Sequence, residues 1–547
     1  MFPSYGLVII AFLTGVVFGE KVFVGLKNYI ELVTQDEVFR ATIGHTLVYT
    51  VINVAIQVFG GLLFAILLSR IKKGRIALQT LYYIPVVISS VAICQIFTKL
   101  LSVTPTGIVN QVLSLINPSW KLMEWISNPQ VSLYVTAFVE AYKYLGLYMV
   151  IFYAALIGVP DELGEAALID GASTWQEYLY VRIPYIKPVI IANCLLVLNG
   201  SLRSFEFSYL LTHGGPGNAS ELMTTYMYKQ AFSSMKYGYG SSVAIMIVII
   251  CMVVGMLFRK FTGGGDDEMK KKKTTIPSII KWVIALILVV MQVYPFFYVF
   301  TSSFKSLDDF RQLPAYALPS KWVLTNFINV FTKSHMLTYF KNSIIVLIGV
   351  LIPLLLFALM AGFALSKIKF KGRKFVLNYF LLGLMLPMQV ALIPLFTIFN
   401  KMGLINTYPA IILPQIAFSL SYSIQLFYSF SKFFPEEMLE AAIIDGCSPI
   451  GCFFKMVVPM SLNSIITVAT MQAVFCWNEY INAYTFTRST DMKTITLGLN
   501  DFVGSMGLTD WGGTFAAITV TVLPVFIFYF FSSKKMLAGM TAGAVKG

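Results

Sequence analysis

Charge is what this chain has least of. Asp, Glu, Lys and Arg make up 12% of its 547 residues against 57% hydrophobic, a balance too apolar for a soluble domain and wrong for a disordered one. Histidine is scarcer still: His45, His213 and His335 stand in separate segments with no His-Glu-x-x-His, which speaks against a membrane-embedded enzyme. No Gly-x-x-x-x-Gly-Lys-Ser/Thr loop occurs, so the chain lacks the usual phosphate cradle and is expected to bind no ATP itself. The six cysteines (94, 194, 251, 447, 452 and 476) fall mostly in apolar runs without a paired framework, and are expected as packed thiols with no metal role. Residues Phe2 to Phe18 have no basic n-region and therefore read as a short first membrane helix rather than a cleavable signal.

What remains is apolar sequence in long runs. Charge-free stretches able to span roughly 30 Å of hydrocarbon run from Ala41 to Ser69, Ile76 to Thr98, Tyr237 to Phe258, Trp282 to Phe304, Asn342 to Ser366, Phe375 to Asn400, Met402 to Ser431, Met456 to Asn478 and Trp511 to Ser533. Two weaker segments, about Val131 to Val159 and Tyr185 to Leu211, carry a few charges inside. With Phe2 to Phe18 they complete an all-α integral membrane protein of two bundles, about six transmembrane helices each, lying in the lipid bilayer.

The formal charge of +14 is accounted for by loop bias and calls for no nucleic acid. Arg70, Lys72, Lys73 and Arg75 follow the second span of the first half, and Lys367, Lys369, Lys371, Arg373 and Lys374 follow its counterpart, with no acid in either cluster. Both loops are expected in the cytoplasm.

The chain also writes one module twice. Glu165-Ala166-Ala167-Leu168-Ile169-Asp170-Gly171-Ala172 recurs as Glu440-Ala441-Ala442-Ile443-Ile444-Asp445-Gly446-Cys447. The differences 440 − 165, 446 − 171 and 459 − 184 all equal 275, so Glu, Gly and the following Pro184 or Pro459 hold one spacing. Such a repeat fixes the folding unit and the surface presented twice. Between the copies, Gly263-Gly264-Gly265-Asp266-Asp267-Glu268 and four lysines read as a cytoplasmic linker, giving domains 1–262 and 279–547 around a linker at 263–278. The linker leads from an inward-ending span to an outward-starting one, so the repeat is parallel.

Each repeated loop reads as a helix, a glycine turn and a second short helix. Pro160-Asp161-Glu162 and Pro435-Glu436-Glu437 are helix starts, with carboxylates at the positive end of the helix dipole. Ala166-Ala167 and Ala441-Ala442 keep one face small, Gly171 and Gly446 permit the left-handed turn, and Ser173 with Gln176 predicts a capping box. No nucleophile is paired with a base in either loop, which suits a lever rather than a reaction.

Glu-Ala-Ala, two residues, Asp-Gly-Ala and the later Val181-Arg182-Ile183-Pro184 resemble the coupling loop of binding-protein-dependent ABC importer permeases. The second copy departs in Cys447 and in Met456-Val457-Val458-Pro459. Phe23-Val24-Gly25-Leu26-Lys27-Asn28-Tyr29 and Leu211-Thr212-His213-Gly214-Gly215-Pro216-Gly217 resemble the first membrane subunit of maltose-type carbohydrate importers. Trp477-Asn478-Glu479-Tyr480, Pro387 and Thr494-Ile495-Thr496-Leu497-Gly498 resemble the second. The chain thus resembles both permease subunits joined.

The resemblance implies a sugar delivered by an extracellular solute-binding protein. It also implies a separate cytoplasmic ATP-binding subunit dimer, carrying ATP and Mg, that grips both loops through Glu165, Ala166, Ala167, Asp170, Gly171 and Pro184 and through Glu440, Ala441, Ala442, Asp445, Gly446 and Pro459. Polar groups inside membrane spans are functional candidates, and Asn199, Asn478, Asn482 and Glu479 are expected along the substrate path. Glu140 with Lys143 reads as an internal ion pair, and Arg203 with Glu206 as a pair near the outer interface. An ion-coupled secondary transporter also explains two six-span halves, but leaves the matched loops without a purpose.

Overall fold

A computed structural model describes residues 11, 13–14, 22–71, 74–118, 122–262, 278–383, 388–432, 434, 436–502 and 510–544. Most of the expected first span, residues 2–18, lies outside these; within it Leu13 and Thr14 are strand, paired antiparallel with Phe23 and Val22. The linker residues 263–277 and Pro387 and Pro435 also lie outside them.

Helix is what hydrocarbon demands, because it alone satisfies each backbone group within its own segment. Among the described residues six helices are long and apolar enough to cross a membrane unbroken: Glu37–Ser69, Ser132–Ile157, Tyr237–Phe258, Met336–Lys367, Tyr408–Ser431 and Trp511–Phe530. One expected span is instead sharply bent, and two more bends fall just after Pro184 and Pro459, where each repeated loop hands over to the next span. Arg75–Val87 and Ser90–Leu100 meet at 97°: the first ends at Val87, two residues past Pro85, and the Ser89 hydroxyl caps the next by accepting from Ala92 N at 3.2 Å. Thr174–Tyr185 turns by 70° into Lys187–Leu202, and Ile450–Met460 by 75° into Leu462–Trp477. The span expected to Leu211 stops at Leu202, with Glu206–Thr212 a separate helix. Hydropathy reports the apolar run; it is blind to the break.

The chain divides into two compact units. The first holds residues 1–333, 389–395 and 499–522, and the second 334–388, 396–498 and 523–547. They cut across the halves of the sequence repeat: the Ser278–Ser302 helix packs within the first unit, where Gln292 O accepts from Tyr142 OH at 2.8 Å and its Nε2 donates to Tyr142 O at 3.3 Å. Glycine sets the closest approach there. A Cβ on Gly146 would lie 2.1 Å from the Tyr82 carbonyl oxygen, so any side chain would force the Ser132–Ile157 and Arg75–Val87 helices apart.

In the second unit Met336–Lys367 lies against Tyr408–Ser431, with Gly362 facing Phe427 as Gly146 faces Tyr82. Ala358, Leu359, Leu365, Ile424, Phe427, Phe453, Val457 and Val468 form its buried cluster. Two of these, Phe453 and Val457, come from the segment after the repeated loop, so the loop is continuous with the core.

Candidate functional site

Two kinds of site emerge, the repeated loops and a cavity. In the first loop Asp161–Ile169 is helical and Gly171 stands at φ +82°. Gly171 N donates to Leu168 O at 3.1 Å and Ala172 N to Ala167 O at 2.9 Å, the reciprocal bonds that close a helix on a left-handed residue. Ser173 N donates to Gln176 Oε1 at 2.7 Å and Gln176 N to Ser173 Oγ at 3.4 Å, the capping box expected from the sequence. The second loop repeats the geometry: Glu436–Ile444 is helical, Gly446 has φ +82°, and Cys447 N donates to Ala442 O at 2.9 Å.

Glu165, Ala166, Asp170, Gly171 and Pro184 are exposed, as are Glu440, Ala441, Asp445, Gly446 and Pro459; Ala167 is half-buried and Ala442 buried. Between the charged residues each loop also presents an aliphatic tip, Ile169 at 86% exposure and Ile444 at 84%, again 275 apart (444 − 169). The sequence reading passed over both isoleucines, because apolar residues are unremarked in an apolar chain. Both lie outside the membrane spans, at the same place in the two copies.

The cavity, about 340 Å³, lies in the first unit. Gln57, Glu140, Tyr144, Arg203 and Glu206 give it a polar wall and Phe205 an aromatic one. The Glu37–Ser69 helix widens to a π-helix over Ala55–Gly60, the turn that carries Gln57 to the cavity, and such widened turns concentrate at functional positions. Glu140 does not pair with Lys143 as expected. Its Oε2 accepts from Tyr49 OH at 2.6 Å and from the Ser204 hydroxyl, while Lys143 Nζ donates to Ser90 Oγ at 2.9 Å. Both charges sit on one helix three residues apart, but neighbouring hydroxyls reach each first.

Arg203 and Glu206 make no ion pair either. Arg203 caps the end of its helix, its Nε donating to Asn199 O at 2.9 Å, and both side chains face the cavity.

The expected substrate-path residues are placed differently. Asn199 is in the first unit, where its Nδ2 donates to Leu195 O of its own helix at 3.0 Å; its neighbours Gly200, Ser201 and Arg203 line the cavity. Asn478, Glu479 and Asn482 are in the second unit. Glu479 caps the Ile481–Phe486 helix, accepting from Asn482 N at 2.6 Å and Ala483 N at 3.3 Å, and Asn482 is buried. Asn478 ends the Leu462–Trp477 helix. Gln57, Tyr144 and Glu140 were missed as cavity residues; for Tyr144 and Glu140 the signal lay in the charges of the Val131 to Val159 segment, and for Gln57 in an amide inside an apolar span. Among the described residues no cluster of His, Cys, Asp or Glu could hold a metal.

A multi-span helical protein with two matched exposed loops and a polar cavity within a bundle has the make-up of a membrane transport component. The chain belongs to the family of binding-protein-dependent transport system inner membrane components, whose model matches it twice, over residues 57–262 and 354–536. It is 35% identical over 266 residues to the probable ABC transporter permease protein YurM of Bacillus subtilis, covering 49% of this chain and 88% of that protein. Over 234 residues it is 36% identical to the arabinooligosaccharides transport system permease protein AraQ of Halalkalibacterium halodurans, 42% of this chain and 81% of the relative. The trehalose/maltose transport system permease protein MalG of Thermococcus litoralis is 31% identical over 266 residues, 48% of this chain and 95% of its own length. Among solved structures, a chain of a bacterial alginate ABC transporter in complex with an alginate-bound periplasmic protein aligns with TM-score 0.42 and 23% identity, over 48% of this chain and 89% of that one.

Proposed function

We propose that this chain supplies both membrane halves of an ATP-driven importer that takes a sugar or oligosaccharide from an external binding protein into the cytoplasm. The observation that carries this reading is the pair of levers: two exposed loops of one geometry, in a family whose model matches the chain twice. Relatives named for arabinooligosaccharides and for trehalose and maltose support a carbohydrate. The cavity beside Glu140, Arg203 and Glu206 suits it too, with donors and acceptors for hydroxyls and Phe205 as an apolar wall for a ring face.

In the proposed cycle the repeated loops face the cytoplasm and a separate ATPase dimer, carrying ATP and Mg, grips one loop in each half. ATP and the loaded binding protein both favour the outward-facing state, so each tightens the other's hold by the same factor. Hydrolysis resides on the partner, and this chain contributes the path and the handles. Family membership fits this importer and not the ion-coupled carrier.

The test is reconstitution in liposomes with the co-purifying ATPase and the binding protein, following radiolabelled oligosaccharides. Vanadate-sensitive uptake that requires both partners is the expected result. Uptake by this chain alone, abolished by a protonophore, would overturn it.

A further inference from the structure

The first handle is held to its bundle by an ion pair that the second does not repeat at the matching positions. In the first, Arg182 Nε donates to Glu177 Oε1 at 2.6 Å, Nη1 to Leu156 O at 3.3 Å and Nη2 to Asp161 Oδ1 at 3.3 Å. These partners belong to the second short helix, the last turn of Ser132–Ile157 and the first turn of the handle helix. One guanidinium therefore joins three elements, and its planar fork of donors fixes their angles as well as their distances.

The members are unequal. Asp161 is 84% exposed and adds little in water, whereas the Arg182 and Glu177 side chains are 16% and 6% exposed and form the lasting bond. Gly164 makes room for it: a Cβ there would lie 2.7 Å from Glu177 Oε1 and 3.1 Å from Arg182 Nη2. From the other side Arg70 lies over the rings of Trp175 at 4.9 Å and Tyr178 at 4.7 Å, with Nη2 on Thr174 O at 3.1 Å.

At the repeat offset of 275 the staple vanishes as a set. Gly164, Glu177 and Arg182 correspond to Leu439, Cys452 and Val457 (164 + 275, 177 + 275 and 182 + 275). The acid, the base and the glycine that admits them are replaced together. Cys452 and Val457 are buried, and Val457 joins Leu365, Phe427 and Val468 in the core of the second unit.

We propose that Arg182 is the positioning residue of the first handle, fixing its angle through Glu177, while at the matching positions of the second handle Cys452 and Val457 take the place of that ion pair and Lys367 Nζ holds the chain just before the helix, donating to Phe434 O at 2.7 Å. The first joint is directional and stiff. The second has no such pair at those positions, and the packing of Val457 there tolerates small rotations that a short ion pair does not. The transport consequence rests on the importer reading; the structural consequence does not.

Hydrogen exchange of the full chain in lipid nanodiscs tests the joint directly, in wild type, R182Q, R182K and R182Q/E177Q. In R182Q the amides of Asp161–Ile169 should exchange about tenfold faster or more, with Glu436–Ile444 unchanged. R182K should restore part of the protection. The double variant should lie nearer wild type than R182Q does, since Glu177 is no longer left buried as an uncompensated charge. In the reconstituted transporter R182Q should raise the ATP consumed per sugar delivered, and R182K should lower it again.

Unchanged exchange in R182Q, equal loosening of both loops, or a lysine variant no better than the glutamine one would each overturn the proposal. Should wild type show no ATP-dependent uptake while R182Q still loosens the first loop alone, the importer reading falls and the staple is supported.

Discussion

Gly171 and Gly446, 275 residues apart (446 − 171), hold the same backbone angle, φ +82°. Nothing lies within 4 Å of where a Cβ would stand on either, so the requirement for glycine is one of backbone conformation and not of space. Each turn aims the rest of its loop, and replacing glycine should cost about 1–2 kcal/mol locally. Gly171→Ala and Gly446→Ala are expected to lower substrate-stimulated ATP hydrolysis while membrane insertion is unchanged. Asparagine, which tolerates the left-handed region, should retain more activity than alanine at both sites, and equal losses would argue against a conformational cause.

The charged flank of the handle has its own test. Glu165 is exposed near the middle of the first helix, with Glu440 at the same place in the second. Glu165→Lys should reduce uptake several-fold and leave the amount of chain in the membrane as it was, measured by transport and by blotting of the same vesicles.

Ile169 and Ile444 are expected to enter apolar pockets on the partner. Burying one such side chain contributes about 1.5–3 kcal/mol, so Ile169→Asp should weaken association with the ATPase by ten-fold or more. Pull-down of the ATPase by the variant reads this out. The fold should be unaffected, because 86% of Ile169 is in solvent already.

In the cavity, Arg203→Met and Glu206→Gln should each lower sugar uptake about ten-fold, the loss of one charge-assisted hydrogen bond or slightly more. Basal ATP hydrolysis and binding-protein docking should stay as in wild type. Asn199→Ala serves as the comparison: its amide is spent on the Leu195 carbonyl, and a change below about two-fold is expected from losing a local helix contact.

Outside the spans, Ser306 and Asp309 cap the Leu307–Gln312 helix reciprocally, at 3.0 and 3.2 Å, and Ser320 Oγ donates to Asp309 Oδ1 at 2.5 Å. Burial pushes the Asp309 carboxyl up, but the hydrogen bonds from Ser320 and Ser306 outweigh it and hold it below the usual carboxylate range. A depressed carboxylate adds stability above its unfolded value, and that stability is lost as pH falls through the folded one. Acidification should therefore lower the melting temperature of wild type more than that of Asp309→Asn, followed by thermal unfolding in detergent.

Much of this was legible in the residues. The matched frames around Glu165 and Glu440 showed the repeated helix-and-turn loops, and Ser173 with Gln176 the cap, since helix starts and glycine turns depend on neighbours within a few positions. The bends at Ile186 and Ser461 follow Pro184 and Pro459, but the one at Ser89 was not legible, because an apolar run reads the same whether straight or broken. Pairings failed for a related reason. Glu140 and Lys143 face each other in sequence, but Tyr49, Ser204 and Ser90 arrive from other elements and claim them first.

By itself, then, the sequence determined a helical membrane protein written twice, with one glycine-turned loop per copy. Those features follow from composition and short-range stereochemistry, which need no knowledge of what lies alongside. Only the tertiary structure decided that Gln57, Glu140, Arg203 and Glu206 share one cavity, and that Ser278–Ser302 packs with the first unit. It alone showed that Arg182 closes on Glu177 while Val457 sinks into a core. Partners brought together from distant segments are chosen by packing, and packing is a property of the whole fold.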